Sequence, residues 1–201
     1  MSIRQLLNDE RTDLIALLHE LSEAEWEAAS LCEGWRVRDV VGHLLYDEIS
    51  PLGYARIAVS RRLATDRINA DLVERTRRLS TAQLLQRFEN SGQRITRLLP
   101  HVGLADMLVH HQDIRRPLGR ARTIPASRST AVLDHPDPFA SPRRYTRGLR
   151  FAATDLDWSS GAGPEVRGPA EALILAVVGR PIALDELTGD GVPILRQRYG
   201  V

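Results

Sequence analysis

Val37-Arg38-Asp39-Val40-Val41-Gly42-His43-Leu44-Leu45 places apolar residues at 37, 40, 41, 44 and 45. Those steps of three, four, seven and eight mark one face of an amphipathic helix with a core-facing stripe. His43 sits at the edge of that stripe, where a polar group can point into a helical interior or a cleft. A second stretch, Asp106-Met107-Leu108-Val109-His110-His111-Gln112-Asp113-Ile114-Arg115, sets Asp106 and His110 four residues apart. On a helix that spacing stacks the two side chains on one face. Their oxygen and nitrogen can then share one ion at about 2.0–2.2 Å from each. One helix face cannot surround an ion, so a third ligand must come from another element, and His43 is the candidate. Three protein ligands with room for an exogenous one is what a catalytic divalent metal site needs. Spacing alone also fits a hydrogen-bonded boundary histidine and an exposed ion pair, and those readings stay open at this point.

Outward from these stretches, residues 1–120 read as helical. Leu14, Leu17, Leu18 and Leu21 mark a first helix, followed by a connection from Ser22 to Gly34. A second helix starts near Val37 and reaches at least Ile49, with Pro51 and Gly53 as a break or kink. Ser80 with Gln83 has the form of a capping box, opening a third helix marked by Leu84, Phe88, Ile95 and Leu99. A fourth runs from about Leu104 to Arg116, stopped by Pro117 and Gly119. Four helices with short links predict an antiparallel four-helix bundle, whose core can host a metal site built from facing helices.

The pattern changes after Gly119. Residues 121–201 begin with a Pro-, Ser- and Arg-rich connection, then read as a small α/β domain. Gly148–Asp155 and Glu165–Gly168 read as strands, Ser159–Pro164 as a turn, Pro169–Val178 as a helix, and Leu184–Arg198 as one or two short helices. The fold class expected is therefore α+β.

A formal net charge of +1 gives no field that would favour nucleic acid or acidic lipid. Every one of the 27 basic residues is Arg, a side chain that pairs bidentately with carboxylates and phosphates. The single cysteine, Cys32, excludes an internal disulfide and a Cys-based zinc site; it reads as a buried structural thiol. No signal-peptide pattern opens the chain, and no apolar run approaches the ~20 residues of a membrane span. A cytoplasmic protein with no membrane or nucleic-acid partner is expected, as monomer or homodimer. Gly161-Ala162-Gly163 opens no helix and so does not read as a nucleotide fingerprint.

Two runs carry a family resemblance. Ser30-Leu31-Cys32-Glu33-Gly34-Trp35 through Val40 and His43 is the first; Asp106, His110, Asp113, Arg115 and Gly119 form the second. Together they resemble the mycothiol-dependent maleylpyruvate isomerase family, of the DinB-like metal-binding bundle superfamily. Ala153-Thr154-Asp155, Trp158, Gly161, Gly163-Pro164, Val166, Gly168, Gly179-Arg180 and Leu187-Thr188-Gly189-Asp190-Gly191 are similar to that family's smaller C-terminal domain. The resemblance implies a divalent metal, usually zinc, held by His43, Asp106 and His110. Many members carry Glu where this chain has Asp106. Asp is one methylene shorter, so the ion must sit nearer this helix or the helix must shift. The resemblance also implies mycothiol as thiol cosubstrate.

Chemistry agrees with that implication. A metal with an open position can bind and deprotonate a thiol, and the thiolate is the nucleophile. Addition, bond rotation and elimination would isomerise a small electrophilic substrate; a thiol that stays attached would make an S-transferase. The alternatives are a non-catalytic metal-binding stress-response protein and a metal-water hydrolase. Asp39, one turn before His43, and Asp113, one turn after His110, are candidates to accept the far N–H of a ligand imidazole. Caps or salt bridges to Arg36, Arg38, Arg115 or Arg116 are the competing roles. Arg180 matches the family pattern and is the candidate to hold a substrate carboxylate; a helix C-cap interaction is its competing role.

Overall fold

The computed structural model describes all 201 residues, in two compact units, Met1–Ala121 and Arg122–Val201. The regular elements of the first unit are helices, with one isolated antiparallel bridge between Ala29 and Arg36. Its helices are α1 (Ile3–Glu20), α2 (Glu23–Trp26), α3 (Val37–Leu44), α4 (Pro51–Ser60), α5 (Thr65–Thr76), α6 (Thr81–Asn90) and α7 (Pro100–Arg115).

Local chemistry sets these boundaries. Ser2 caps α1 by accepting from the Gln5 N–H, and Leu6, Leu7, Leu14, Leu17 and Leu18 bury its inner face. The connection expected from Ser22 contains the single-turn α2, closed by a reciprocal capping box of Ser22 and Glu25. In α3, Val37, Val40, Val41 and Leu44 are fully buried, as the stripe predicts. This helix ends sooner than its pattern suggests, passing at Leu45 into a 3-10 turn that ends at Glu48. Arg62 and Leu63 adopt positive φ and separate α4 from α5.

The third expected helix also stops early. Ser80 and Gln83 cap α6 as read, but the helix ends at Asn90 and Ser91 is extended. Two interactions account for this. The Arg11 guanidinium on α1 binds the Phe88 and Glu89 carbonyls, taking acceptors of the last turn. The buried Asp47 carboxylate accepts from the Ile95 N–H at 2.7 Å, the Thr96 N–H at 2.9 Å and the Thr96 hydroxyl at 2.5 Å. Residues 91–99 are thus held as an irregular segment, and α7 starts at Pro100 rather than Leu104.

Helix α7 is the buried spine. Leu104, Ala105, Leu108 and Ile114 have no exposed surface, and α1 packs along it. Its adjacent histidines diverge. His111 turns to α1, where Nδ1 meets the buried Glu10 carboxylate at 2.8 Å and Nε2 accepts from Arg115 Nε at 2.7 Å. His110 faces α3. Gly42 sets how closely α3 meets α5, since a Cβ there would lie 2.3 Å from Thr76 Oγ1.

The second unit comprises α8 (Ala126–Asp134), α9 (Arg143–Thr146), β1 (Arg150–Ala153), β2 (Ser159–Gly161), β3 (Glu165–Gly168), α10 (Ala170–Val177) and α11 (Val192–Tyr199). Its sheet has the order β2-β1-β3, with β1 antiparallel to β2 and parallel to β3. The stretch read as a turn therefore begins with the edge strand β2. Asp155 caps α10 by accepting from the Ala170 N–H at 2.8 Å. No helix is long and apolar enough to cross a membrane.

Candidate metal centre

The side chains of His43 on α3 and Asp106 and His110 on α7 converge. One ligand atom from each lies within 4.8 Å of the other two. Asp106 Oδ1 is 3.3 Å from His110 Nε2 and 3.8 Å from His43 Nε2. The histidine rings meet edge to face with centroids 5.0 Å apart. Tetrahedral coordination at ~2.0–2.1 Å puts neighbouring ligand atoms about 3.3 Å apart. One observed edge matches that value and the other is slightly longer. Two imidazoles and a carboxylate are a zinc-type donor set, so these residues fit a divalent metal.

Each ligand is oriented by a neighbour. Asp113, fully buried one turn along α7, lies with Oδ2 2.9 Å from His110 Nδ1. That bond places a proton on Nδ1 and leaves Nε2 facing Asp106. The same Asp113 oxygen accepts from the Cys32 thiol at 3.1 Å. Tyr46 donates its hydroxyl to Asp106 Oδ2 at 2.9 Å, which leaves Oδ1 facing the two imidazoles. His43 is held by rings instead: Trp35 and Tyr46 each lie 5.5 Å from it, centroid to centroid. Its Nδ1 is buried with no hydrogen-bond partner.

The electrostatics follow from this packing. Burial lowers the His43 pKa more than Asp106 raises it, which favours the neutral, ligating imidazole. Burial alone would raise the Asp106 pKa; the charge on His110 and the close approach of both imidazoles outweigh it and keep Asp106 ionised. Burial opposes charge on His110 as well, but the Asp106 charge and the bonds to Asp106 and Asp113 lift its pKa well above the ordinary value. Burial, reinforced by the Asp106 charge, raises the Tyr46 phenol, so it remains a donor.

Two expected roles need correction or restriction. Asp39 does not reach His43. It occupies the first turn of α3, where Oδ2 accepts from the Arg36 N–H and Arg36 Nε, both at 3.0 Å. Its carboxylate is consumed by the helix start and a guanidinium. Arg180, in the second unit, donates to the Val178 carbonyl at 3.4 Å, a contact of the C-cap kind. Tyr46 and Cys32 were not singled out for the site by sequence. Tyr46 follows His43 by three residues, one helical turn, and that spacing was the available signal. Cys32 is only half-buried, so it is not the sealed structural thiol expected. Cys32, His110 and Asp113 form a second cluster of potential ligands, but these atoms are already joined by S–H···O and N–H···O bonds.

Comparison with known proteins follows the same lines. Residues 7–105 match the family described as mycothiol maleylpyruvate isomerase N-terminal domain, a span that includes His43 and ends one residue before Asp106. No curated protein matches the chain. A crystal structure of a point mutant of the mycothiol-dependent maleylpyruvate isomerase is similar with a TM-score of 0.65 at 14% identity, over 94% of this chain and 91% of that one. A second crystal structure of the mycothiol-dependent maleylpyruvate isomerase gives a TM-score of 0.53 at 16% identity over the same shares. At such identities the two structures show a shared fold. The helical unit thus matches the mycothiol maleylpyruvate isomerase N-terminal domain family over residues 7–105, and the chain shares its fold with both crystal structures.

Proposed function

We propose that this protein is a metal-dependent enzyme that uses a low-molecular-weight thiol, mycothiol, on a small electrophilic substrate. The reaction is isomerisation of the maleylpyruvate type or S-transfer. The observation that carries this reading is the convergence of His43, Asp106 and His110, with Asp113 bonded to the far nitrogen of His110. His43, Asp106 and His110 hold a divalent metal, zinc in the first instance. When bound, it supplies a Lewis acid that lowers the pKa of a coordinated thiol, so that thiolate is available at neutral pH. Asp113 fixes the tautomer of His110 and Tyr46 fixes the carboxylate of Asp106. Trp35 and Tyr46 wall the cluster with rings and limit water around His43. Arg180 is assigned, from the family pattern, to hold a substrate carboxylate bidentately. Conversion of Arg180 to Met should raise KM for a carboxylate substrate and leave metal content unchanged.

The test supplies zinc-loaded protein with mycothiol and a panel of electrophiles that includes maleylpyruvate. Thiol-dependent turnover is expected, with loss in His110→Ala. No thiol-dependent turnover, together with no thiol-induced change in the visible spectrum of cobalt-substituted protein, would overturn the reading.

A further inference from the structure

Cys32, His110 and Asp113 bring a sulfur, a nitrogen and an oxygen ligand atom together on the far side of the His110 ring from Asp106. Asp113 Oδ2 lies 2.9 Å from His110 Nδ1 and 3.1 Å from Cys32 Sγ, and the sulfur lies 3.7 Å from that same nitrogen. We propose that these three side chains form a second metal site, for a thiophilic divalent ion, joined to the first cluster through the imidazole of His110. Nε2 of that ring serves the ion held with His43 and Asp106, and Nδ1 serves the second ion. The site goes beyond the thiol reading above and needs neither a thiol cosubstrate nor a substrate.

Three observations support this site. First, the geometry closes on every edge. A triangle of 2.9, 3.1 and 3.7 Å can be capped by one ion at about 2.0–2.1 Å from nitrogen and oxygen and about 2.3 Å from sulfur. Second, the charges cancel. Two divalent ions meet the carboxylates of Asp106 and Asp113, the Cys32 thiolate and the His110 imidazolate, with His43 neutral. That balance matters because Asp113 is fully buried and His110 nearly so, where uncompensated charge is costly. The second ion takes the place of two protons, one from the Cys32 thiol and one from His110 Nδ1, and both leave to solvent. Third, Cys32 is only half-buried, so the cluster has one ligand that solvent-borne ions can reach while the other two are held in α7. The donor set also decides which ion enters. A thiolate favours soft, thiophilic metals. Removing the second proton of a shared imidazole works against binding, so zinc fills the cluster of His43, Asp106 and His110 alone at neutral pH.

The probe is cadmium, titrated into zinc-loaded, reduced full-length protein. Binding is followed by ultraviolet difference absorption, and both metals are counted after gel filtration. One cadmium per chain is expected beside the retained zinc, with a thiolate-to-cadmium charge-transfer band that saturates at one equivalent. Cys32→Ala should abolish the band and weaken cadmium binding at least about tenfold. Asp113→Asn should also weaken it at least about tenfold with the thiol still present, which separates a built site from an isolated reactive thiol. His43→Ala disables the first cluster and should still take one cadmium with the same band, so failure of the first site and failure of the second are read separately. Cadmium that replaces zinc without the band, unchanged binding in Cys32→Ala, or a band of equal affinity in Asp113→Asn would overturn the assignment.

Discussion

Replacing Asp113 by Asn isolates the contribution of a single charge. The side chain is fully buried and its Oδ2 accepts from both His110 Nδ1 and the Cys32 thiol. Asn keeps the shape and an accepting oxygen, so both contacts can persist as neutral hydrogen bonds. What is lost is the charge assistance, which roughly doubles the strength of such a bond. Loss of an orienting carboxylate behind a ligand histidine typically weakens metal binding by about 10–100-fold, or roughly 1.4–2.7 kcal/mol. Asn should fall near the lower end of that range. Asp113→Ala should fall near the upper end, because it leaves a buried imidazole nitrogen without its acceptor. The assay is zinc competition against a chromophoric chelator, with circular dichroism to verify that both variants fold. Zinc affinity in Asp113→Asn within twofold of wild type would refute the reasoning and leave Asp113 a purely structural role.

Three further outcomes are expected. Tyr46→Phe removes the donor to Asp106 Oδ2 and should weaken zinc binding several-fold without unfolding the protein, measured by the same competition. Gly42→Ala drives a Cβ to 2.3 Å from Thr76 Oγ1 and should cost about 1–3 kcal/mol in urea unfolding, with most of that recovered on a Thr76→Ala background. In metal-free protein the raised His110 pKa contributes stability that is full below the ordinary histidine value of 6.5 and is lost as pH rises through the folded value. The depressed Asp106 pKa contributes stability above 3.8 that is lost as pH falls through its folded value. The melting temperature of metal-free protein should therefore decline on both the acid and the alkaline side, and zinc should offset the alkaline loss.

The α3 stripe and the Asp106–His110 spacing were legible because local geometry dictates them: residues one turn apart share a face. Asp39 and Asp113 show the limit of that logic, since both stand about one turn from a histidine. Asp39 lies in a first helical turn, where free N–H groups and Arg36 claim a carboxylate. Asp113 lies within α7, where backbone donors are already used and the neighbouring imidazole is available. Spacing does not encode that difference; position along the helix does. The early end of α6 was hidden for another reason. Its causes, Arg11 and Asp47, come from elsewhere in the chain, and no local window contains them. Likewise, the partner of His111 is Glu10 on α1, about a hundred residues away, and no local window contains it.

The central claim is that His43, Asp106 and His110 bind one metal. Zinc content after exhaustive dialysis of wild type and His43→Ala, measured by elemental analysis on the same zinc-loaded preparation, tests it most directly. The account predicts about one zinc per wild-type chain and loss of nearly all of it in His43→Ala, because two ligands do not hold zinc tightly. Stoichiometric zinc retained by a folded His43→Ala would contradict it.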